Sequence, residues 1–298
     1  MDLSAWIISI EGTETGRTAA MIMALVAAVM HAALGVLQKG RYDPWLSRGA
    51  VDVSVGLISI PLAIFVVPLP GPELWVLFPG MMLIHLAYKW VLAMAYSRAA
   101  FTAVYPIVRG TGPLITVVFA GVVFGEFFSA GQWGGVALLS GGIFALAAFN
   151  LRTTEVDRPV LMAAIGLAFL TGGITAIYTV YDAYAIRAAE NPFTFIVWFF
   201  LLEGVLFPLL IWRRWLQVED MAGLFKRGLF GSVIAYFSFG GVFLATRLDK
   251  VGEAAALRET SVVFGAIMGW LILGERIGPV RAGLMVVIAA GAALVEFG

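Results

Sequence analysis

The chain has 298 residues, of which 61% are hydrophobic and 13% are charged. Soluble globular chains have about 45–50% hydrophobic residues and about 25% charged residues, so an ordinary soluble domain is excluded. The formal net charge of zero excludes a basic footprint for nucleic acid, and the absence of cysteine excludes disulfides, thiolate metal sites and cysteine nucleophiles.

Residues 1–17 carry Asp2, Glu11 and Glu14 but no basic n-region. They are therefore predicted to be an interfacial or disordered lead-in and not a secretory signal. Apolar runs of about 20 residues follow, each long enough to cross a ~30 Å hydrocarbon core as a helix. Turns rich in proline and glycine separate them. Ten spans are predicted, at residues 18–37, 48–67, 74–96, 101–123, 130–149, 160–185, 193–213, 228–246, 252–273 and 279–296.

Two stretches, residues 95–126 and 246–275, align without a gap. Arg109 falls on Arg258, and Gly125-Glu126 falls on Gly274-Glu275. The offset is 258 − 109 = 149 residues, half of the chain. Each half holds five spans, an odd number, so the second half must cross the membrane in the opposite sense. The predicted fold is an all-α membrane protein with two inverted five-helix repeats, residues 18–150 and 151–298, around a central cavity near the bilayer midplane.

Lysine and arginine are unevenly divided between the two membrane faces. Twelve lie after spans 1, 3, 5, 7 and 9, and four lie on the opposite face. The positive-inside rule then places both termini outside the cell.

Charged groups inside the spans are the main candidates for function, because each costs about 2.5–3.5 kcal/mol near a helix centre. Arg109 in span 4 shares a helix face with Tyr105, and Arg258 is its counterpart in span 9. Guanidinium groups bind carboxylate or phosphate with two hydrogen bonds, so the pair predicts an anion clamp. The alternative is a structural ion pair, for example of Arg109 with Asp52 or Glu203.

Glu259 follows Arg258 directly, and adjacent helical residues diverge by about 100°. The two side chains are therefore not expected to point at one ligand. Glu259 is predicted either to pair with one of the arginines across the cavity or to carry a coupling proton.

Other polar residues in the spans have two interpretations each. His85 and Lys89 share a face of span 3 and either add positive charge to the cavity or leave Lys89 extended to the membrane rim. His31 in span 1 is a ligand or a packing residue. Tyr178 and Asp182 share a face of span 6. With Tyr236 in span 8 they form either an aromatic cavity wall or a helix contact.

Two further features are interpreted as structural. Glu126 and Glu275 end their spans and are predicted to bond nearby loops. The small-residue runs 140–142 and 289–293 are predicted to hold the halves together or to support a dimer.

Enzyme and metal motifs are missing from the sequence. There is no His-Glu-x-x-His, no phosphate loop and no Gly-x-Ser-x-Gly elbow. The two histidines lie in separate spans, which does not make a metal cluster. No catalytic residue, metal or cofactor is therefore predicted.

The segments ending Val-Phe-Gly-Glu126 and Ile-Leu-Gly-Glu275, each followed by a glycine-rich span, resemble the ten-helix EamA-type branch of the drug/metabolite transporter (DMT) superfamily. This resemblance implies inverted repeats, a cavity lined by helices 1–4 and 6–9, and alternating access. Sugar-phosphate and triose-phosphate relatives use basic residues on helices 4 and 9, where Arg109 and Arg258 lie. The resemblance also implies cytoplasmic termini, against the charge count.

The sequence predicts a secondary active transporter for a small anionic or zwitterionic metabolite, with Arg109 and Arg258 holding its negative group. One alternative is an exporter of aromatic or cationic compounds that uses Asp182, Glu203 and the tyrosines. Another is a non-transporting membrane enzyme or assembly factor.

The expected partners are a small-molecule substrate, the lipid bilayer and a coupling proton. His85, Lys89, Glu259 and Asp182 are predicted to tune selectivity or couple protons. Asp52 and Glu203 are predicted to form ion pairs or to couple protons. The chain is expected in the bacterial inner membrane as a monomer or homodimer.

Overall fold

The computed structural model describes residues 3–38, 42–98, 101–152, 157–273 and 278–298. Thirteen helices and no strand lie in these residues. The helices are α1 Leu3–Ile10, α2 Glu14–Gln38, α3 Pro44–Phe65, α4 Pro72–Tyr96, α5 Phe101–Phe124, α6 Ala130–Leu151, α7 Arg158–Ala188, α8 Pro192–Leu210, α9 Trp212–Trp215, α10 Met221–Leu248, α11 Val251–Glu259, α12 Ser261–Leu273 and α13 Pro279–Phe297.

Ten spans long and apolar enough to cross a membrane lie in the described residues, which confirms the predicted all-α membrane fold. Helices α11 and α12 together form the ninth span. Several spans begin at a proline, which is favourable in the first turn because its missing N–H needs no partner there. Asp43 and Asn191 cap two of these helices, accepting hydrogen bonds from the backbone N–H groups of Trp45 and Phe193.

The lead-in, residues 1–17, was predicted to be either interfacial or disordered, and part of it forms a helix. Residues Leu3–Ile10 form α1, and Ile7 and Ile10 are buried against the core. The disordered alternative is therefore wrong for these residues. Helix α2 begins at Glu14, four residues before the predicted first span.

Helix pairing links the two halves. Helix α6 packs against α13 and α3 against α8, and each of these pairs joins corresponding spans of the halves. The pair α2–α10 joins spans 1 and 8, and the pair α4–α7 joins spans 3 and 6. Exchanging the two halves of the chain turns one of these pairs into the other. This pattern fits the predicted inverted repeat. Because the described residues contain ten spans, an even number, the start of the first span and the end of the last lie at one membrane face, called here the termini face.

Small residues allow these helices to approach closely. A Cβ added to Gly291 would lie 2.4 Å from the backbone nitrogen of Leu139, and one added to Gly142 would lie 2.9 Å from Ile288. Gly56 and Gly204 meet in the same way, since a Cβ on Gly204 would lie 2.6 Å from the Gly56 Cα. The prediction that the small-residue runs hold the halves together is confirmed for Gly142 and Gly291.

The ninth span is broken near its middle. Helix α11 ends at Glu259, Thr260 follows, and α12 begins at Ser261. The Thr260 hydroxyl donates to the Leu257 carbonyl at 2.6 Å, and its backbone N–H donates to the same carbonyl at 3.1 Å. This tight turn places Arg258 and Glu259 in the last turn of a helix that ends inside the protein.

Candidate substrate site

Arg109, Arg258 and Glu259, called here the arginine centre, form one buried cluster. The Nη1 of Arg109 donates to both carboxylate oxygens of Glu259 at 3.3 Å. The Nε and Nη2 of Arg258 donate to the Oε1 of the same carboxylate at 3.1 Å. Glu259 is fully buried, and the arginines are 3% and 4% exposed. The two arginines that the repeat predicted as a pair therefore meet, and one carboxylate joins them.

Neighbouring side chains meet in this centre although both belong to α11. Adjacent helical residues diverge by about 100°, so these two side chains were not expected to point at one ligand. The Arg258 side chain nevertheless reaches the Glu259 carboxylate with two hydrogen bonds of 3.1 Å. The partner of Arg109 is Glu259, and the alternative pairing with Asp52 or Glu203 is wrong.

Tyr105 and Ser261 complete the surroundings of Arg109. The Arg109 guanidinium carbon lies 5.1 Å from the centre of the Tyr105 ring, within the range of a cation–π contact. The Tyr105 hydroxyl and the Ser261 hydroxyl are 3.1 Å apart. The Arg109 Nε is buried and has no hydrogen-bond partner within the described part of the chain. A donor is therefore free at this position.

A second cluster, called here the acidic network, crosses helices α3, α4, α7 and α8. The Lys89 Nζ lies 2.8 Å from an Asp52 oxygen and 2.6 Å from a Glu203 oxygen. The His85 Nε2 lies 2.8 Å from the Asp182 Oδ2, and its Nδ1 lies 4.0 Å from the Glu203 Oε2. Each of these five residues is at most 7% exposed. Lys89 is therefore held inside the protein and does not extend to the membrane rim.

Arg48 joins this network and is a residue that the sequence analysis missed. Its Nε lies 3.1 Å from the Asp52 Oδ1, one helical turn away. Because span 2 was predicted to begin at residue 48, Arg48 was counted as a loop residue. Helix α3 begins at Pro44, which puts Arg48 inside the helix. The Asp43-Pro44 pair, an N-cap followed by a first-turn proline, was the signal that could have placed it.

A cavity of about 210 Å³ separates the two clusters. Arg109 and Tyr105 of α5 line it, as do Arg48 of α3 and Lys89 of α4. It reaches the exposed Pro44, where α3 begins, so it extends toward the face opposite the termini. Its lining is His31, Leu34, Gly35, Pro44, Arg48, Tyr88, Lys89, Leu92, Ala93, Tyr96, Tyr105, Val108 and Arg109.

The remaining predicted residues lie at different distances from the cavity. His31 lines it, and its Nδ1 lies 2.9 Å from the Ser238 hydroxyl. Arg258 is not among the residues that line the cavity, and its Nη1 donates to the Thr179 hydroxyl at 3.4 Å. Tyr178 is buried against His85, with ring centres 4.5 Å apart. Tyr236 is not part of the cavity, since it bonds Ser59 and faces an apolar groove on another side of α10.

A buried apolar cluster lies between the arginine centre and the termini face. Ala120, Val180, Ala183 and Val251 form an apolar plug there, with Phe124 packed against it. Glu126 follows this plug in the chain, and its carboxylate bonds the start of α11 and Arg187. The prediction that Glu126 bonds nearby loops is confirmed, whereas Glu275 lies outside the described residues.

Comparison with known proteins identifies the second half of the chain. Residues 162–297 match the model of the EamA-like transporter family. This half is an EamA-like, DMT-type transporter segment. With its ten spans the protein is an integral, multi-pass membrane protein, and the family points to transport and not to an enzyme. The predicted resemblance is confirmed over these residues.

Comparison with solved structures supports the fold of the whole chain. A crystal structure of a protein that is 18% identical to this chain matches it with a TM-score of 0.76. The match covers 94% of this chain and 97% of the other. At this identity it establishes a shared fold. Among curated proteins, none matches the chain.

Proposed function

We propose that this transporter carries a small anionic or zwitterionic metabolite whose negative group binds at Arg109, with Arg258 linked to it through Glu259. The observation that carries this proposal is that Arg109 lines the cavity and has an Nε with no hydrogen-bond partner within the described residues. The centre has two guanidinium groups and one carboxylate, so it keeps one surplus positive charge. A bound carboxylate or phosphate would balance that charge.

The dimensions of the cavity favour a small substrate. Pockets for drug-sized ligands measure about 300–1,000 Å³. The cavity beside Arg109, at about 210 Å³, is below that range. A metabolite with few non-hydrogen atoms is therefore the expected cargo.

The contacts of Asp182 and Glu203 argue against an exporter of cations. Asp182 is bonded to His85, and Glu203 to Lys89. Neither carboxylate lines the cavity. A cationic substrate in the cavity would meet Arg48, Lys89 and Arg109 first, and the like charges would repel it.

Alternating access is supported by the asymmetry of the two faces. The cavity extends to the face opposite the termini, and the apolar plug of Ala120, Val180, Ala183 and Val251 lies on the other side of the arginine centre. Opening of this plug, with closure of the cavity mouth, would move the arginine centre from one side to the other.

The test combines ligand binding and flux. Purified protein is screened by thermal shift against small carboxylates, phosphate esters, amino acids and organic cations, because a ligand stabilises the state that it binds. We expect stabilisation by an anionic or zwitterionic compound, and uptake of that compound by vesicles that contain the protein. Arg109→Ala and Arg258→Ala should each abolish binding while the protein stays folded.

Arg98→Ala is the matched control. Arg98 is exposed, and its side chain bonds only the Met94 carbonyl among the described contacts. It should bind and transport like the unaltered protein. Full transport in both Arg109→Ala and Arg258→Ala would overturn the proposal. Absence of any flux with folded protein would favour the non-transporting alternative.

A further inference from the structure

The acidic network carries one negative charge more than its permanent cations can balance. Among the described residues it contains the carboxylates of Asp52, Asp182 and Glu203. Lys89 and Arg48 supply two positive charges. With His85 neutral and all three carboxylates ionised, the net charge of the network is −1. An uncompensated charge in a buried site is costly, so one added proton would stabilise this cluster.

The arginine centre carries the opposite surplus, and α7 lies between the two clusters. Thr179 of α7 accepts a hydrogen bond from Arg258 at 3.4 Å. Its neighbour Tyr178 contacts His85 on the other side, and Asp182, one turn further along, bonds His85. The positive charge of the arginine centre thus partly compensates the negative charge of the acidic network.

From this charge relationship we infer that the transporter couples the anion to a proton: when one anion binds at Arg109, one proton binds at His85. This inference rests on the proposed anion site. A bound anion cancels the surplus positive charge of the arginine centre. The acidic network then loses its compensation, and protonation of His85 restores neutrality. Each ligand favours the binding of the other, as reciprocal linkage requires.

The hydrogen bonds around His85 indicate which nitrogen takes the proton. Asp182 can only accept when ionised, so the Nε2 of His85 carries the hydrogen in the neutral ring. The Nδ1 then has a free lone pair, 4.0 Å from a Glu203 oxygen. A proton taken up from solvent by this nitrogen gives an imidazolium between two carboxylates. No bond other than N–H is formed.

The groups that face His85 come from three other helices. Helix α7 contributes Tyr178 and Asp182, and α8 contributes Glu203. Helix α3 acts through Asp52 and Arg48, which reach Glu203 by way of Lys89. On α4 itself, Tyr88 and Lys89 lie within one turn. Asp182 and Glu203 favour the imidazolium, and no permanent cation among the described residues contacts the ring directly.

The experiment measures the protonated fraction of His85 directly by nuclear magnetic resonance. The chain has two histidines, so ¹⁵N-histidine labelling of a His31→Asn background leaves one imidazole to observe. Arg109→Gln removes one positive charge, as a bound anion would, and should raise the protonated fraction of His85 at fixed pH. Glu259→Gln adds to the surplus positive charge and should lower that fraction. Arg98→Gln, an exposed arginine, is the control and should leave it unchanged.

We expect midpoints that differ by about one pH unit or more between Arg109→Gln and Glu259→Gln, a tenfold change in the protonation equilibrium. Equal midpoints in these two variants would overturn the inference, and this result needs no substrate. A further arm uses pyruvate, glutamate and inorganic phosphate as probes in weakly buffered solution. Uptake of about one proton per bound anion in the parent and none in His85→Gln supports coupling. Binding without proton uptake overturns it while the anion site stands.

Discussion

The Oε1 of Glu126 accepts a hydrogen bond of 2.8 Å from the backbone N–H of Val251, the first residue of α11. The Oε2 accepts from the next N–H, that of Gly252, at 3.2 Å. Lys250, at the N-cap position, provides no side-chain cap, so a carboxylate from the first half of the chain satisfies the start of a helix in the second. Its negative charge also interacts favourably with the positive end of the helix dipole.

Both residues of the Gly125-Glu126 pair contribute to this contact. Gly125 has a φ of 66°, in the left-handed region that glycine adopts without strain. The chain therefore turns sharply after α5. Glu126 then lies over the start of α11, where Arg187 also contacts it at 3.5 Å. The contact ties α5, α7 and α11 together at the termini face.

Glu126→Gln is expected to loosen the closed termini face, because the amide loses the charge that holds the helix end and Arg187. The chain has no cysteine, so a single Ala183→Cys reports opening of the plug in which Ala183 is fully buried. A water-soluble maleimide should label this cysteine several-fold faster in Glu126→Gln than in the parent. Glu190→Gln, an exposed carboxylate at the same face, is the control and should not change the rate. Equal rates in all three proteins would mean that Glu126 does not hold this face closed.

The positions of the spans could be predicted because the residues that set their boundaries are neighbours in the sequence. Prolines begin α3, α4 and α8, and apolar stretches longer than a bilayer crossing follow them. The break in the ninth span was not predicted. No proline or glycine lies between Gly252 and Gly265, and the turn at Thr260 depends on buried contacts.

The charged residues of the spans could also be identified from the sequence, but most of their partners could not. Lys89 and Glu203 are 114 residues apart, and Arg109 and Glu259 are 150 apart. Which carboxylate meets which cation depends on how the helices pack. The sequence analysis named Glu259 as a possible partner of either arginine, and the structure joins it to both. From the sequence alone, the network of His85, Lys89 and Glu203 was not predicted.

Tyr105 is expected to contribute to anion binding through its ring. The ring faces Arg109 with 5.1 Å between its centre and the guanidinium carbon, a contact of about 0.5–2 kcal/mol. Tyr105→Leu should therefore weaken binding of the stabilising anion by about tenfold, through loss of the surface that orients Arg109. Tyr105→Phe keeps the ring and should retain most of the affinity. Titration of the ligand against both variants decides the matter, and a larger loss in Tyr105→Phe than in Tyr105→Leu would assign the effect to the hydroxyl.

Lys89 is expected to be the residue of the acidic network whose loss costs most stability. It is 3% exposed and contacts Asp52 and Glu203, so Lys89→Met leaves two buried carboxylates without their shared cation. Breaking a buried ion pair on one side costs about 3–5 kcal/mol. The thermal unfolding temperature in detergent should fall sharply. Lys226→Met, which removes an exposed lysine, should leave it nearly unchanged.

The double variant Lys89→Met with Glu203→Gln separates charge balance from packing. Lys89→Met alone changes the net charge of the acidic network from −1 to −2, and Glu203→Gln returns this charge to −1. If charge balance governs stability, the double variant is more stable than Lys89→Met, and the two substitutions are strongly non-additive, as expected for residues in direct contact. If the losses simply add, Lys89 and Glu203 contribute to stability independently, and their charges do not balance each other. The unfolding temperatures of the four proteins, measured in one detergent and at one pH, distinguish these outcomes.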